Sequence, residues 1–131
     1  MITVGIAAFN EEGTIGKVLE NLLTQAYPEP VEILVVGGGL DRTLLIVQDF
    51  ARRFGNVRFI EEKERRGKPS AINEILKSAK GRIIVIVDGD VFPARGAIMK
   101  LLQPFKDPSV GATCGRIIAL NDRSRVFGFW A

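Results

Sequence analysis

The chain of 131 residues has no histidine and one cysteine. Without an imidazole it has neither a histidine general base nor a histidine-ligated zinc site. A lone cysteine, Cys114, excludes an internal disulfide and fits a reducing, cytoplasmic compartment. No apolar run approaches the ~18 residues of a membrane-spanning helix. The start, Met1-Ile2-Thr3-Val4-Gly5-Ile6, lacks the basic n-region and small-residue cleavage site of a secretory signal. Charge of one sign is also scarce: 18 Lys and Arg against 15 Asp and Glu leave +3, too weak a field to point to nucleic acid. Internal repeats and low-complexity segments are missing. Aromatics are few, and three of the ten, Phe127, Phe129 and Trp130, crowd the last five positions. A terminus of that kind packs on something, which makes self-association an expectation.

What is present is an ordinary globular composition, 47% hydrophobic and 25% charged, at a length that suits one domain over 1–131. Apolar runs alternate with helical patterns. Ile2 to Ala8 reads as a strand, and Ile15, Val18, Leu19, Leu22, Leu23 and Ala26 form one helical face, stopped by Tyr27-Pro28-Glu29-Pro30. Val31 to Val36 is a second strand, rich in β-branched residues. After Gly37-Gly38-Gly39, Asp41 is the expected N-cap of a helix reaching about Phe54, with Leu44, Val47, Ala51 and Phe54 facing inward. Val57 to Ile60 gives a short third strand. Pro69 suits the first turn of the next helix, whose buried face is Ile72, Ile75, Leu76 and Ala79.

Ile83 to Val87 is an unbroken aliphatic run, expected to be a central strand covered on both faces. Ile98, Leu101, Leu102 and Phe105 mark a fourth helix, and Val110 to Leu120 is expected to contain a fifth strand, with Cys114 packed in the core. Such alternation predicts a mostly parallel sheet in a three-layer α/β/α sandwich.

Ligands of an open parallel sheet bind outside the carboxyl ends of its strands. The unusual local sequences all fall there: Phe9-Asn10-Glu11-Glu12, Gly37-Gly38-Gly39, Arg65-Arg66-Gly67-Lys68 and Asp88-Gly89-Asp90. Asp88 and Asp90 are two carboxylates that can share a hard cation with phosphate oxygens, although Asp-Gly is also simply a good turn. Lys68 opens a helix, where the dipole disfavours a cation; it fits better if an anion such as phosphate arrives there, and the alternative is a solvated lysine. The glycines are either a phosphate cradle or a flexible turn and match neither the dinucleotide fingerprint nor the P-loop. Glu11 and Glu12 fit contacts to a ribose or serve the helix dipole alone. Arg116 either reaches the same edge as the two aspartates or is solvated.

In this order the motifs resemble the inverting nucleotide-sugar glycosyltransferases of the GT-A fold, which include dolichyl-phosphate mannose synthases and cellulose-synthase-like enzymes. Ile6-Ala7-Ala8-Phe9-Asn10-Glu11-Glu12 is similar to the family's opening Ile-Pro-Ala-Tyr-Asn-Glu-Glu. Glu32 to Thr43 resembles a segment read as Val-Asp-Asp-Gly-Ser-Thr-Asp. Gly67-Lys68-Pro69-Ser70-Ala71-Ile72-Asn73 resembles Gly-Lys-x-x-Ala-x-Asn, and Asp88-Gly89-Asp90 resembles the Asp-x-Asp metal motif. Val110-Gly111-Ala112 through Gly115-Arg116 matches the strand that follows.

The resemblance implies a Rossmann-like nucleotide-binding sheet and a UDP- or GDP-linked sugar held with Mg²⁺ or Mn²⁺. Asp90 would ligate the metal, and Asp88 the metal or the ribose. Ala7, Phe9 and Glu11 would line the nucleotide pocket, together with Gly38 and Gly89. Lys68 and Arg116 would lie near the diphosphate. Transfer would proceed with inversion to an acceptor hydroxyl, lipid-linked in many relatives, which suggests membrane association for a longer form.

Two departures stand out. Gly37 and Gly38 replace acids, one of which helps recognise the base, and the acceptor half with its catalytic base has no counterpart, so both are expected beyond residue 131. The chain therefore reads as a donor-binding half, either an expressed fragment or a truncated reading frame. A non-catalytic nucleotide-binding or assembly module is the first alternative. A sugar-phosphate nucleotidyltransferase is a lower one, since a glycine- and arginine-rich loop would then stand where Asn10-Glu11-Glu12 is found.

Overall fold

The computed structural model describes residues 1–64 and 66–118. Four strands, β1 (Ile2–Phe9), β2 (Val31–Gly38), β3 (Val57–Glu61) and β4 (Ile83–Asp88), alternate with helices α1 (Ile15–Thr24), α2 (Thr43–Arg53), α3 (Lys68–Ser78) and α4 (Ala97–Leu102). A 3₁₀ turn, Gln103–Lys106, continues α4. All pairings are parallel, in the spatial order β3-β2-β1-β4. β1 is paired on both sides, so that Ala7 lies between Val36 and Asp88. All four carboxyl ends therefore share one edge.

The pleat sends alternate side chains to opposite faces. Val4, Ile6, Ile33, Val35, Val57 and Val87 pack under Ile15, Val18, Leu19 and Leu22 of α1 and Val47 and Phe50 of α2. Ile98 and Leu102 of α4 pack on Ile2, beside Ile83 and Val85, on that same face. Leu34 and Val36 on the other face meet Ala71 and Ile75 of α3. Each fully buried Ile or Leu contributes about 1.5–3 kcal/mol to folding. Gly5 is what lets α3 come so close, because a Cβ there would lie 2.3 Å from Cγ2 of Ile75. The result is the three-layer α/β/α sandwich. Among the described residues no helix is long and apolar enough to cross a membrane.

Several local expectations are corrected. β4 is not central among the described strands: it flanks β1, no strand pairs with its other side, and Ile86 is 38% exposed. An aliphatic run reports apolar surroundings but not its position in the sheet. α3 covers β1 and β2 rather than β4, so the outer flank of Ile86 stays open. The expected fifth strand does not form over the described residues 110–118, and Cys114 is exposed rather than in the core. The segment has strand-like residues interrupted by Gly111 and Gly115, and among the described residues no strand lies beside it to pair with. Ala119, Leu120 and the aromatic end with Phe127, Phe129 and Trp130 lie outside the described residues, as does Arg65.

The helical faces shift slightly as well. α1 ends at Thr24, so Ala26 is not on it; the Tyr27 hydroxyl turns back to donate to the Leu22 carbonyl at 2.9 Å. In α2 the buried residues are Thr43, Val47 and Phe50 rather than Leu44, which is half-buried. Leu76 of α3 is exposed, and Ala71 takes the inward position.

At the amino ends of the strands, opposite the carboxyl edge, a buried polar knot ties four segments together. Glu32, 5% exposed, accepts hydrogen bonds from the Thr3 hydroxyl at 2.6 Å, the Lys80 amide at 2.6 Å and the Arg58 guanidinium at 2.7 Å. The Gly81 amide donates in turn to the Thr3 hydroxyl at 2.8 Å. Burial alone would push the Glu32 carboxyl upward, but these donors outweigh it and hold its pKa below the usual 4.5. A depressed carboxyl contributes stability above its unfolded value and loses it as pH falls through the folded one.

Glu32→Gln is accordingly expected to cost about 2 kcal/mol at pH 7 and to lower the melting temperature by about 8 °C. The gap to the parent chain should close as the pH is taken below about 4. Melting curves at pH 7, 5 and 3 check this; a gap that is constant with pH contradicts the role given to the carboxylate.

Candidate functional site

The turn after β1 and the loop after β2 are locked to each other. β1 is followed by Asn10, which takes the left-handed conformation (φ 56°) that asparagine tolerates. Its side-chain oxygen accepts from the Leu40 amide at 2.9 Å, and its own amide donates to the Gly38 carbonyl at 3.3 Å. The Glu11 amide donates to the buried Thr43 hydroxyl at 2.7 Å. Glu12 accepts from the Arg42 amide at 3.0 Å and pairs with its guanidinium at 3.4 Å. Asp41 accepts from the Glu12 amide at 3.0 Å and the Thr43 amide at 2.9 Å. Asp41 therefore caps the first amide of α2, although Arg42 occupies the N-cap position. Burial works against its carboxylate, but the bonds from Thr43 and Glu12 hold its pKa below the ordinary value. Asn10, Glu11 and Glu12 thus serve the fold itself by fastening two loops at the carboxyl edge.

The glycines after Val36 are part of the same closure. A Cβ on Gly37 would lie 1.7 Å from the Ala8 carbonyl oxygen, and one on Gly38 2.9 Å from that of Glu62. Acidic residues at these two positions would require β1 and the β3 loop to move apart. Gly38 pairs with Phe9 within the sheet and does not line the cavity described next.

That cavity, about 300 Å³, opens at the carboxyl ends of β1 and β4 and the start of α3. Of the residues singled out in the sequence, Ala7, Phe9, Glu11, Lys68, Asp88, Gly89 and Asp90 line it. Arg116 does not; it is exposed in the irregular segment that follows α4. Ala8, Gly67 and Ala71, which stand in the quoted motifs without an assigned role, also contribute to the wall, as do Val36 and Glu62. Glu62 follows β3 directly, its amide bonded to the Gly37 carbonyl at 2.8 Å, so the carboxyl-edge rule applied to the third strand would have found it.

The Lys68 ammonium lies 2.6 Å from Oδ1 of Asp88, with the two side chains 55% and 37% exposed. Asp90 follows in a turn closed by the bond from the Val91 amide to the Asp88 carbonyl at 3.1 Å. Four acidic side chains, Glu11, Glu62, Asp88 and Asp90, share the wall with one lysine. The donor set is all oxygen, with no imidazole or thiol. Among the described residues no group of three or more His, Cys, Asp or Glu stands ready to hold a metal by itself. One or two carboxylates completed by phosphate and water oxygens is the habit of Mg²⁺ and Mn²⁺, so the residues present fit such an ion.

A parallel sheet with acidic and basic groups gathered at its carboxyl edge is the architecture of a nucleotide-binding α/β domain. The chain belongs to Glycosyl transferase family 2, whose pattern matches residues 3–128. Among its relatives is a poly-β-1,6-N-acetyl-D-glucosamine synthase of Staphylococcus epidermidis, 29% identical over 124 residues, which are 94% of this chain and 30% of the relative. Among solved structures, a mannosyltransferase of Pyrobaculum calidifontis in complex with GDP-Man and Mn²⁺ superposes with a TM-score of 0.75 at 35% identity, over 84% of this chain and 33% of the other. Staphylococcus aureus TarS in complex with UDP-GlcNAc gives a TM-score of 0.69 at 26% identity, over 82% and 31%. The fold is thus that of the GT-A glycosyltransferases, and the chain spans about a third of the length of each of these relatives.

Closure of β2 against β1 is testable directly. Gly37→Ala is expected to lose about 3 kcal/mol or more, because the obstacle is backbone and cannot rotate away. Gly55→Ala, where a Cβ meets nothing within 4 Å, should change stability by no more than about 0.5 kcal/mol. Urea denaturation midpoints check the pair; equal midpoints contradict the register at Ala8 and Gly37.

Proposed function

We propose that this chain carries the donor site of a glycosyltransferase that takes a nucleoside diphosphate sugar with Mn²⁺ or Mg²⁺ and transfers the sugar with inversion to an acceptor hydroxyl. The observation that carries the reading is the meeting of Asp88, Asp90 and Lys68 on one cavity wall at the carboxyl edge of a family 2 sheet. GDP-Man with Mn²⁺ and UDP-GlcNAc in the two solved relatives support the donor class.

In this reading Asp88 and Asp90 hold the cation, and Lys68 faces the diphosphate. Ala7, Phe9 and Glu11 form the wall toward the nucleoside, and Glu62 supplies an acid near the place where the family's acids are replaced by Gly37 and Gly38. The metal, when bound, neutralises charge that builds on the departing nucleoside diphosphate. Gly38 and Arg116, outside the cavity, are given no part in donor binding. No described residue is assigned as the base for the acceptor. A lipid-linked acceptor and a membrane-associated longer form remain part of the proposal by family resemblance.

Thermal unfolding with UDP or GDP, each with and without Mn²⁺, tests it. A ligand at a hundred times its dissociation constant adds about 2.7 kcal/mol, which is several degrees for a chain of this size. One nucleotide with Mn²⁺ should raise the midpoint, and Asp90→Asn should abolish the rise while leaving the midpoint without ligand within about 2 °C of the parent. Asp90 is exposed and makes no ion pair among the described residues, so loss of the rise is not loss of the fold. No rise with either nucleotide contradicts the donor site.

A further inference from the structure

We propose that Lys68 and the divalent cation compete for the same oxygen of Asp88, and that a nucleoside diphosphate resolves the competition by giving the lysine another anion. The inference rests on the reading that Asp88 and Asp90 hold the cation. Its consequence is that metal and nucleotide enter this site as coupled ligands, each binding a few-fold better when the other is present.

Three observations support it. The Lys68 ammonium is within 2.6 Å of Oδ1 of Asp88, so a cation that uses this oxygen has to displace it. Lys68 is also the only cation among the described residues lining the cavity, against Glu11, Glu62, Asp88 and Asp90. A diphosphate approaching that wall is repelled unless positive charge comes with it or is freed for it.

Finally, the start of α3 offers an anion little else. Pro69 has no amide hydrogen, and the amides of Ser70 and Ala71 already donate to the Gly67 carbonyl at 3.1 and 3.3 Å. The ammonium of Lys68, rather than a row of helix amides, is therefore the group that an entering diphosphate meets. The anion that a lysine at this helix start calls for is the protein's own Asp88, and binding exchanges one anion for another. Both side chains are partly exposed, so the pair is weak enough to open, and the competition is worth only a few-fold in affinity.

The test titrates the chain with Mn²⁺ alone, and with Mn²⁺ in the presence of GDP or UDP, reading free Mn²⁺ by electron paramagnetic resonance. For Lys68→Met the affinity for Mn²⁺ alone should rise about two- to fivefold. The nucleotide should strengthen Mn²⁺ binding about two- to fivefold less in this variant than in the parent, since coupling between two ligands is reciprocal. Lys68→Arg, which keeps the ion pair, should stay close to the parent in both titrations and shows that position 68 tolerates change. If the parent binds Mn²⁺ with a nucleotide but Lys68→Met leaves the affinity for Mn²⁺ alone unchanged or lower, the competition is wrong and the donor site stands. If the parent binds neither ligand under any combination, both the donor site and the competition fail.

Discussion

Pairing of β1 with parallel neighbours on both sides is the constraint on which the rest of this structure depends. With Ala7 set between Val36 and Asp88, the last residue of β4 is carried to the same edge as the turn that follows β1. α3 can then lie across β1 and β2 only because Gly5 has no side chain to meet Ile75, and this places Lys68 against Asp88. One strand register therefore sets three things: the depth of the sandwich, the position of the helix start and the distance between the cavity's lysine and its carboxylate. A slip of one residue would turn Asp88 to the opposite face.

The two ends of the sheet treat charge differently. At the amino ends Glu32 is buried and every contact it makes is to a donor, so its charge is spent on joining β1, β2, β3 and the segment before β4. Among the described residues lining the cavity at the carboxyl ends, acidic groups outnumber the single lysine, and Lys68 and Asp88 remain partly exposed. The first arrangement is what a fold needs in order to hold its layers together. The second leaves unspent charge facing an opening, and that is the form a binding site for a metal–anion pair takes.

Much of the fold was legible in the sequence because each strand is a short apolar run closed by a turn signal, and each helix shows its face at the expected spacing. The errors have physical causes. The aliphatic Ile83 to Val87 says that β4 is apolar on both faces but not which strands flank it. The pattern from Val110 to Leu120 has strand-like residues, yet its described part has no neighbour to pair with. Thr43 of α2 was missed because a buried threonine with a hydrogen-bond partner reads as polar, and Phe50 because the expected face was drawn through its neighbour Ala51. At the site, the carboxyl-edge rule pointed to the segments that hold Phe9, Glu11, Lys68, Asp88, Gly89 and Asp90, and the family resemblance added Ala7; all seven line one cavity, since parallel alternation carries the strand ends to the same edge. Glu62 was hidden in a run of charges, where one carboxylate cannot be told from another. The role of Gly37 needed coordinates, because close approach of two backbones leaves no mark in a sequence beyond the glycine itself.

The central claim, that a divalent cation and a nucleotide meet at the carboxyl edge of β1 and β4, is most directly tested by paramagnetic broadening. Amide spectra of the ¹⁵N-labelled chain with GDP or UDP would be recorded as Mn²⁺ is added in small steps. The account predicts that signals from Ala7 to Glu11, Gly67 to Ala71 and Asp88 to Val91 vanish first, while those of Thr3, Glu32, Arg58 and Gly81 at the far edge persist. Broadening centred instead on the Glu64 and Glu74 surface, or spread evenly over the chain, would contradict it.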